Sequence, residues 1–498
     1  MFAMEKRYTV PSRKFFAERI IPDMYAQMGE SLSKELQLAG GNISFTCDTW
    51  TADCTVQSYF GITGHWLTAD FTRCSYVFSC MPLDDRHTGQ YLATQFQVAL
   101  QKWKIEKDYC HLVVRDNAAN IKKCFVDMGV DSIGCFAHTI QLAVNDGIFS
   151  QRGVKDLIAT CRKIVGHFKH SSSATARLNE LQSQLSLPKR QLIQNVSTRW
   201  NSTFFMLERL LEQRQAMVLY SAENPLENLL PNQWEVMQKV VGLLHPFEEA
   251  TRIMSQASVS TADSIPILAG LRNCLQTVEQ DTGVKTMKES LIEALASRLQ
   301  LDDVPVFTIA TLLDPRYKAR FFSDAVREVV IGNLKGLLVA IYNKQNPASA
   351  TPSSVSIEQA YKKPRTAEAH ASLFDCVDDL LESQSSACNV DSQISQLPVQ
   401  TTDLILPLSP GNTELDLYLV EPLIPRTSNC LAWWRENKDR FPLLSAIAVT
   451  YLSPPPSSVP SERLFSTAGQ VISERRTRLL PENAEKLIMM KYNSSLID

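Results

Sequence analysis

Three acidic residues in separate settings stand out: Asp48 after the apolar run 43–47, Asp116 after the run 110–115, and Glu462 in a Ser-Glu-Arg segment far downstream. Hard divalent cations select carboxylate oxygen, and a pair of such ions steadies both the attacking and the leaving oxygen of a phosphodiester displacement. Brought together, these side chains can hold Mg²⁺ or Mn²⁺ and cut nucleic acid. Taken singly, each has an ordinary structural use. An Asp after a strand caps or turns the chain, and a Glu in a helix's first turn complements the helix dipole.

For the two aspartates to meet, the strands before them must be neighbours. Residues 41–83 predict three consecutive strands (43–50, 56–66 and 73–82), rich in β-branched and aromatic residues and separated by short polar turns. Helical periodicity follows over 88–103, then a buried strand at 111–114, a helix at 117–128, a short strand at 132–136 and a helix at 137–149. This order describes a mixed α/β layer, preceded by a helical lead-in over 1–40. From 151 to 342 long amphipathic patterns, such as 203–220 and 234–254, predict an all-α insertion. Residues 343–413 are rich in Ser, Pro, Gln and Thr, with apolar content only around 372–381, and predict a disordered linker. The remainder, 414–498, predicts a compact helical segment broken by Pro454-Pro455-Pro456. Glu462 reaches the sheet only if this last segment folds back across the whole insertion.

The chain has 498 residues, 44% hydrophobic and 21% charged, the balance of a globular protein of two to four domains. A formal net charge of −3 argues against coating nucleic acid through bulk charge. Locally the balance differs: between Arg152 and Arg214 there are 11 Lys or Arg against 4 Asp or Glu. That stretch is the expected anion-facing surface. Within it, Arg199-Trp200 pairs a planar cation with a large aromatic, suited to phosphate contact and base stacking. Packing of Trp200 beside Phe204, Phe205 and Leu207 is the competing use. No apolar run approaches the roughly 20 residues that cross a bilayer, and the first twelve residues are unlike a secretory leader. Twelve cysteines without paired short spacings read as reduced core thiols. Cys135-x-x-His138 has no second ligand pair, so zinc is not expected there. Arg475, Arg476 and Arg478 form a small basic cluster that reads as a solvated face or a DNA contact.

Several short segments together resemble the hAT superfamily of transposases, and especially the ZBED-type host proteins derived from it. They are Cys47-Asp48-Thr49-Trp50, Arg115-Asp116-Asn117-Ala118-Ala119-Asn120, Cys135-Phe136-Ala137-His138, Ser197-Thr198-Arg199-Trp200-Asn201-Ser202, the run from Ala310 to Lys318, and Pro460-Ser461-Glu462-Arg463-Leu464-Phe465-Ser466. The resemblance implies an RNase H-like core interrupted by the all-α insertion and completed by a C-terminal helical segment that mediates dimerisation. It implies that Asp48, Asp116 and Glu462 are the metal-binding catalytic triad, with Mg²⁺ or Mn²⁺ as cofactor if the chain is active and none otherwise. It places His138 near the active site, and it makes Trp200, with Arg199, the candidate for DNA contact and for stacking on an extruded base.

Many family members begin with a BED zinc finger, and no Cys/His module of that kind precedes Asp48. The expectation is therefore a lost finger or a shortened chain. The function expected is that of a nuclear, hAT-derived protein that self-associates through its C-terminal region and binds duplex DNA or chromatin in transcription regulation. It would have no membrane and no small-molecule partner. The alternative is an active transposase, which the intact acidic triad keeps open.

Overall fold

A computed structural model describes residues 11–40, 42–52, 55–196, 199–226, 228–278, 281–345, 373–387, 410–472 and 479–497. Its centre is a five-stranded mixed sheet of β1 (Ile43–Thr51), β2 (Ser58–Leu67), β3 (Arg73–Leu83), β4 (Cys110–Arg115) and β5 (Ser132–Gly134). The strand order is β3-β2-β1-β4-β5, with the first three antiparallel and β4 and β5 parallel to β1. The chain is therefore an α/β protein with an RNase H-like core. Alternation along β1 explains its two faces. Ile43, Phe45 and Cys47 enter an apolar cluster with helices α1 (Gly89–Lys102) and α2 (Ala119–Met128), where Phe96 meets Phe45 and Phe125 edge to face at 5.7 and 5.1 Å. Ser44, Thr46 and Asp48 point to the other side.

That second face is covered from both directions in sequence. Helix α3 (Phe136–Ser150) leads into the insertion, whose helices run from α4 (Arg152–Lys169) through α5 (Trp200–Glu212), α6 (Pro231–Met254) and α7 (Ser264–Gln276). One cluster joins them to Leu112, Val114 and Ile133 of the sheet, so insertion and core share a continuous interior. The periodic stretch 203–220 is not one helix: α5 stops at Glu212, and a second helix, Arg214–Glu223, starts after Gln213, which is fully buried. Helix α8 (Pro305–Leu313) and α9 (Asp324–Gln345) pack instead with the C-terminal residues Leu415, Tyr418, Trp434, Phe441 and Leu444. Most of the apolar density of the C-terminal segment is thus buried within the chain.

The stretch expected to be a disordered linker, 343–413, contains ordered pieces. Helix α9 continues to Gln345, α10 spans Leu373–Ala387, and α11 (Pro410–Val420) begins inside it. The reason lies in Leu373, Cys376 and Val377, whose spacing makes one apolar helix face. All three are buried; a Cβ on Gly270 of α7 would meet Val377 at 2.7 Å, so bare backbone there lets α10 dock. The Cys376 and Cys274 sulfurs lie 2.8 Å apart across this contact. Residues 346–372 and 388–409 lie outside the described residues, as do Arg475, Arg476 and Arg478.

The C-terminal helices α12 (Val459–Val471) and α13 (Pro481–Tyr492) close the sheet. A seam of buried hydroxyls attaches them: Thr46 Oγ1 lies 2.6 Å from Ser461 Oγ and 2.5 Å from Thr63 Oγ1, Thr63 Oγ1 lies 2.7 Å from His65 Nε2, and Ser44 Oγ lies 3.2 Å from Ser453 Oγ. Gly61 faces Asp48 in the register, and a Cβ there would meet Phe465 at 2.8 Å and Leu464 at 2.9 Å. Only a glycine lets α12 press this closely on β2. After α13, Asn493 pairs with both backbone groups of Val77, accepting from its N–H at 2.9 Å and donating to its carbonyl at 2.8 Å.

Burial, with the Arg73 charge adding, holds the His65 imidazole down to about 3 from its ordinary value of 6.5. The unfolded chain therefore binds more protons between these values, and stability is complete above about pH 6.5 and lost as pH falls toward 3. At pH 5 the loss assigned to His65 is about 2 kcal/mol, taking ~1.4 kcal/mol per pH unit. Urea titrations at pH 7 and pH 5 should show a smaller pH effect in His65→Gln than in the natural chain; equal pH effects would remove His65 as the cause.

Candidate active site

The parallel pairing of β1 with β4 ends at Cys47 opposite Arg115, and the next residue on each chain is an aspartate. This places Asp48 and Asp116 side by side at the C-terminal rim of two adjacent parallel strands. Asp48 lies inside β1, within the strand expected over 43–50. β1 continues to Thr51, because residues 48–51 still pair with β2; it is β4 that stops. Each aspartate is oriented locally: Asp48 Oδ1 accepts from Thr49 N at 2.7 Å, and Asp116 Oδ1 accepts from Ala118 N at 3.1 Å.

Glu462 joins them through the hydroxyl seam, since its neighbour Ser461 holds Thr46, two residues before Asp48. The helix starts at Val459 after Ser458, which frees the Ser461 hydroxyl to bind the sheet. The fourth group is His138 in the first turn of α3, whose Nε2 lies 3.9 Å from Glu462 Oε1. Cys135 is not a zinc ligand but an acceptor: its sulfur takes the N–H of His138 at 3.5 Å and that of Ser458 at 3.3 Å. Phe136 N also donates to Pro456 O at 3.0 Å, so the start of α3 is tied to the proline loop that carries Glu462.

Burial, and after it the Asp116 charge, pushes the Asp48 carboxyl up to about 7. The Cys135 sulfur beside its ring, with Glu462 and Asp48 adding, lifts His138 to about 9. An imidazolium thus sits among carboxylates that repel one another. A divalent cation would relieve that repulsion, and the donor set, carboxylate oxygen alone, suits Mg²⁺ or Mn²⁺ rather than zinc. The donor chemistry fits such an ion, while the side-chain arrangement supplies it only in part. Among the described residues no three His, Cys, Asp or Glu groups stand close enough to hold a metal.

A cleft of about 670 Å³ opens at this rim, lined by Asp48, Trp50, His138, Arg199, Trp200 and Glu462 among others; Asp116 is not in its wall. Arg199 is exposed. Trp200 is only 3% exposed, with its ring against Phe204, so it serves as wall rather than open platform. The more accessible aromatic is Trp50, half-buried and stacked on Phe465 at 5.8 Å and 18°. Its place two residues after Asp48 was the signal for it. In the basic stretch, Arg177 pairs with Glu180 and Glu223, and Arg190 and Arg209 with Glu212, which lowers the positive surface below the residue count.

This arrangement can be set beside known proteins. Residues 46–128 match the model of the ZBED1 RNase-like domain, 133–243 that of the ZBED1 RNase-like helical domain, and 414–494 that of the hAT family C-terminal dimerisation region. The chain belongs to the ZBED-type, hAT-derived proteins. Across 99% of its length it is 32% identical to human zinc finger BED domain-containing protein 4, covering 41% of that protein. It is 26% identical to a putative AC transposase of Zea mays over 95% of the chain and 59% of the relative. To a putative transcriptional regulator of Talaromyces stipitatus it is 25% identical, over 94% and 55%. The chain thus spans about half the length of these relatives. Among the described residues, no helix of this hAT-derived chain is long and apolar enough to cross a membrane.

Because Asp48 is raised in the folded state, the fold binds more protons than the unfolded chain from its ordinary 3.8 up to about 7, and stability falls as pH rises through that window. With chelator at pH 7.5, Asp48→Asn should therefore melt higher than the natural chain, on the order of 2 °C or more. Added Mn²⁺ should raise the melting temperature of the natural chain and not that of the variant. A lower melt for the variant would contradict the repulsion.

Proposed function

We propose that this hAT-derived chain is a nuclear, self-associating DNA-binding protein acting in transcription regulation or on chromatin. The observation that carries the reading is the cleft, where exposed Arg199, the half-buried ring of Trp50 and His138 gather at the sheet rim. Cation and aromatic together suit a nucleic-acid backbone with an unpaired base. Self-association is supported by the match of residues 414–494 to a dimerisation region, and regulation by the similarity to the fungal putative transcriptional regulator. Fluorescence anisotropy with a labelled duplex should give binding that weakens steeply with salt, as released counterions require, and Arg199→Ala should reduce the log–log slope by ~0.9 for one lost phosphate contact. No binding at low salt would end this reading.

A second reading, divalent-metal-dependent strand cleavage, is favoured by one observation: Asp48, Asp116 and Glu462 come from three distant segments to one rim. Mg²⁺ or Mn²⁺ held there would supply Lewis-acid polarisation of the phosphodiester. The chain's own part is to hold the carboxylates on the rigid ends of β1 and β4, and to present His138 to phosphate once Glu462 is drawn to the ion. The expected outcome is Mn²⁺-dependent nicking of terminal-repeat DNA that disappears in Asp116→Asn. Binding without any nicking retains the first reading and removes the second.

A further inference from the structure

Helix α9 has two apolar faces, and only one of them is used. Val330, Leu334 and Leu338 are buried against the C-terminal helices. The opposite face carries Ala325, Val329, Gly332, Gly336, Val339 and Ala340, all exposed, with Val329 at 55% and Val339 at 43%. A helix at a protein surface ordinarily turns a polar face outward. Nothing lies within 4 Å of a Cβ built on Gly332 or Gly336, so the backbone itself is open in the middle of this face.

The face reads the same in both directions about Leu334. Equally far from that residue stand Gly332 and Gly336, then Val329 and Val339, then Asp324 and Lys344. In a two-fold, isologous contact residue i of one copy meets j of the other and j meets i, so an axis at Leu334 sets glycine on glycine and valine on valine. The charges choose the direction. Antiparallel packing brings Asp324 of the first turn to the partner copy's last turn at Lys344 and opposes the helix dipoles; parallel packing would put like on like. The face also continues into the C-terminal dimerisation region. Helix α11 packs beside α9 and exposes Val420 and Leu417, both in that matched region, at 86% and 55%.

We propose that a second copy of this chain docks here, with α9 packing antiparallel on its symmetry mate across Gly332 and Gly336, and with α11 extending the contact. The self-association interface thereby reaches beyond the matched region at 414–494. This inference rests on the self-association reading above. The close backbone approach at the glycines lets Val329 of one copy reach Val339 of the other.

Two measurements on the full chain test it. Sedimentation equilibrium should show Gly336→Glu weakening the dimer at least tenfold, with circular dichroism unchanged because nothing surrounds that position. Mild copper-phenanthroline oxidation of the double variant Val329→Cys/Val339→Cys should give a covalent dimer, while neither single variant does. A cross-link in either single variant would mean parallel packing and would overturn the proposal. So would a dimer of natural affinity in Gly336→Glu with no cross-link in the double variant, which leaves self-association intact but places it elsewhere. A natural chain that stays monomeric at tens of micromolar would remove both readings.

Discussion

The contact between Thr46 and Ser461 holds the rest of the architecture in register. Both hydroxyls are fully buried, and a buried hydroxyl left without a partner costs ~1–3 kcal/mol, so each requires the other in place. The seam runs on through Thr63 to His65, and Ser44 with Ser453 repeats it one pleat away. Apolar packing alone would let α12 slide on the sheet. The hydroxyls, together with the close approach at Gly61, admit one position, and that position puts Glu462 beside the rim that carries Asp48 and Asp116.

At that rim, two tendencies oppose each other. The parallel pairing of β1 with β4 ends just before the two aspartates and sets their carboxylates in proximity, while the hydrophobic sheet beneath them withholds solvent. The raised Asp48 carboxyl and the charged His138 are the result. His138 sits beside this group of acids as a counter-charge, its Nε2 3.9 Å from Glu462 Oε1.

Much of this was legible from residue order. Alternation of apolar and polar residues marks β1 to β3, and an aspartate directly after each of two apolar runs, 43–47 and 110–115, is a local pattern with a three-dimensional meaning. What escaped sequence reasoning depends on distant partners. The sulfur of Cys135 becomes a hydrogen-bond acceptor only because Ser458 arrives from the far end of the chain. Trp50 stacks on Phe465, and Trp200 is covered by Phe204 and the insertion core. The helix at Leu373–Ala387 looked like an interruption in a polar linker because its partner face, around Gly270, is a hundred residues earlier.

The distance in sequence between Thr46 and Ser461 also has a consequence for biosynthesis. At a ribosomal rate of ~5–20 residues per second, the sheet leaves the tunnel roughly 20–80 s before the helix that must cover it. During that interval Thr46 and Thr63 lack their seam and the face around Gly61 is bare. For the same interval the three acids cannot assemble, and a polypeptide interrupted before Ser461 carries no complete site.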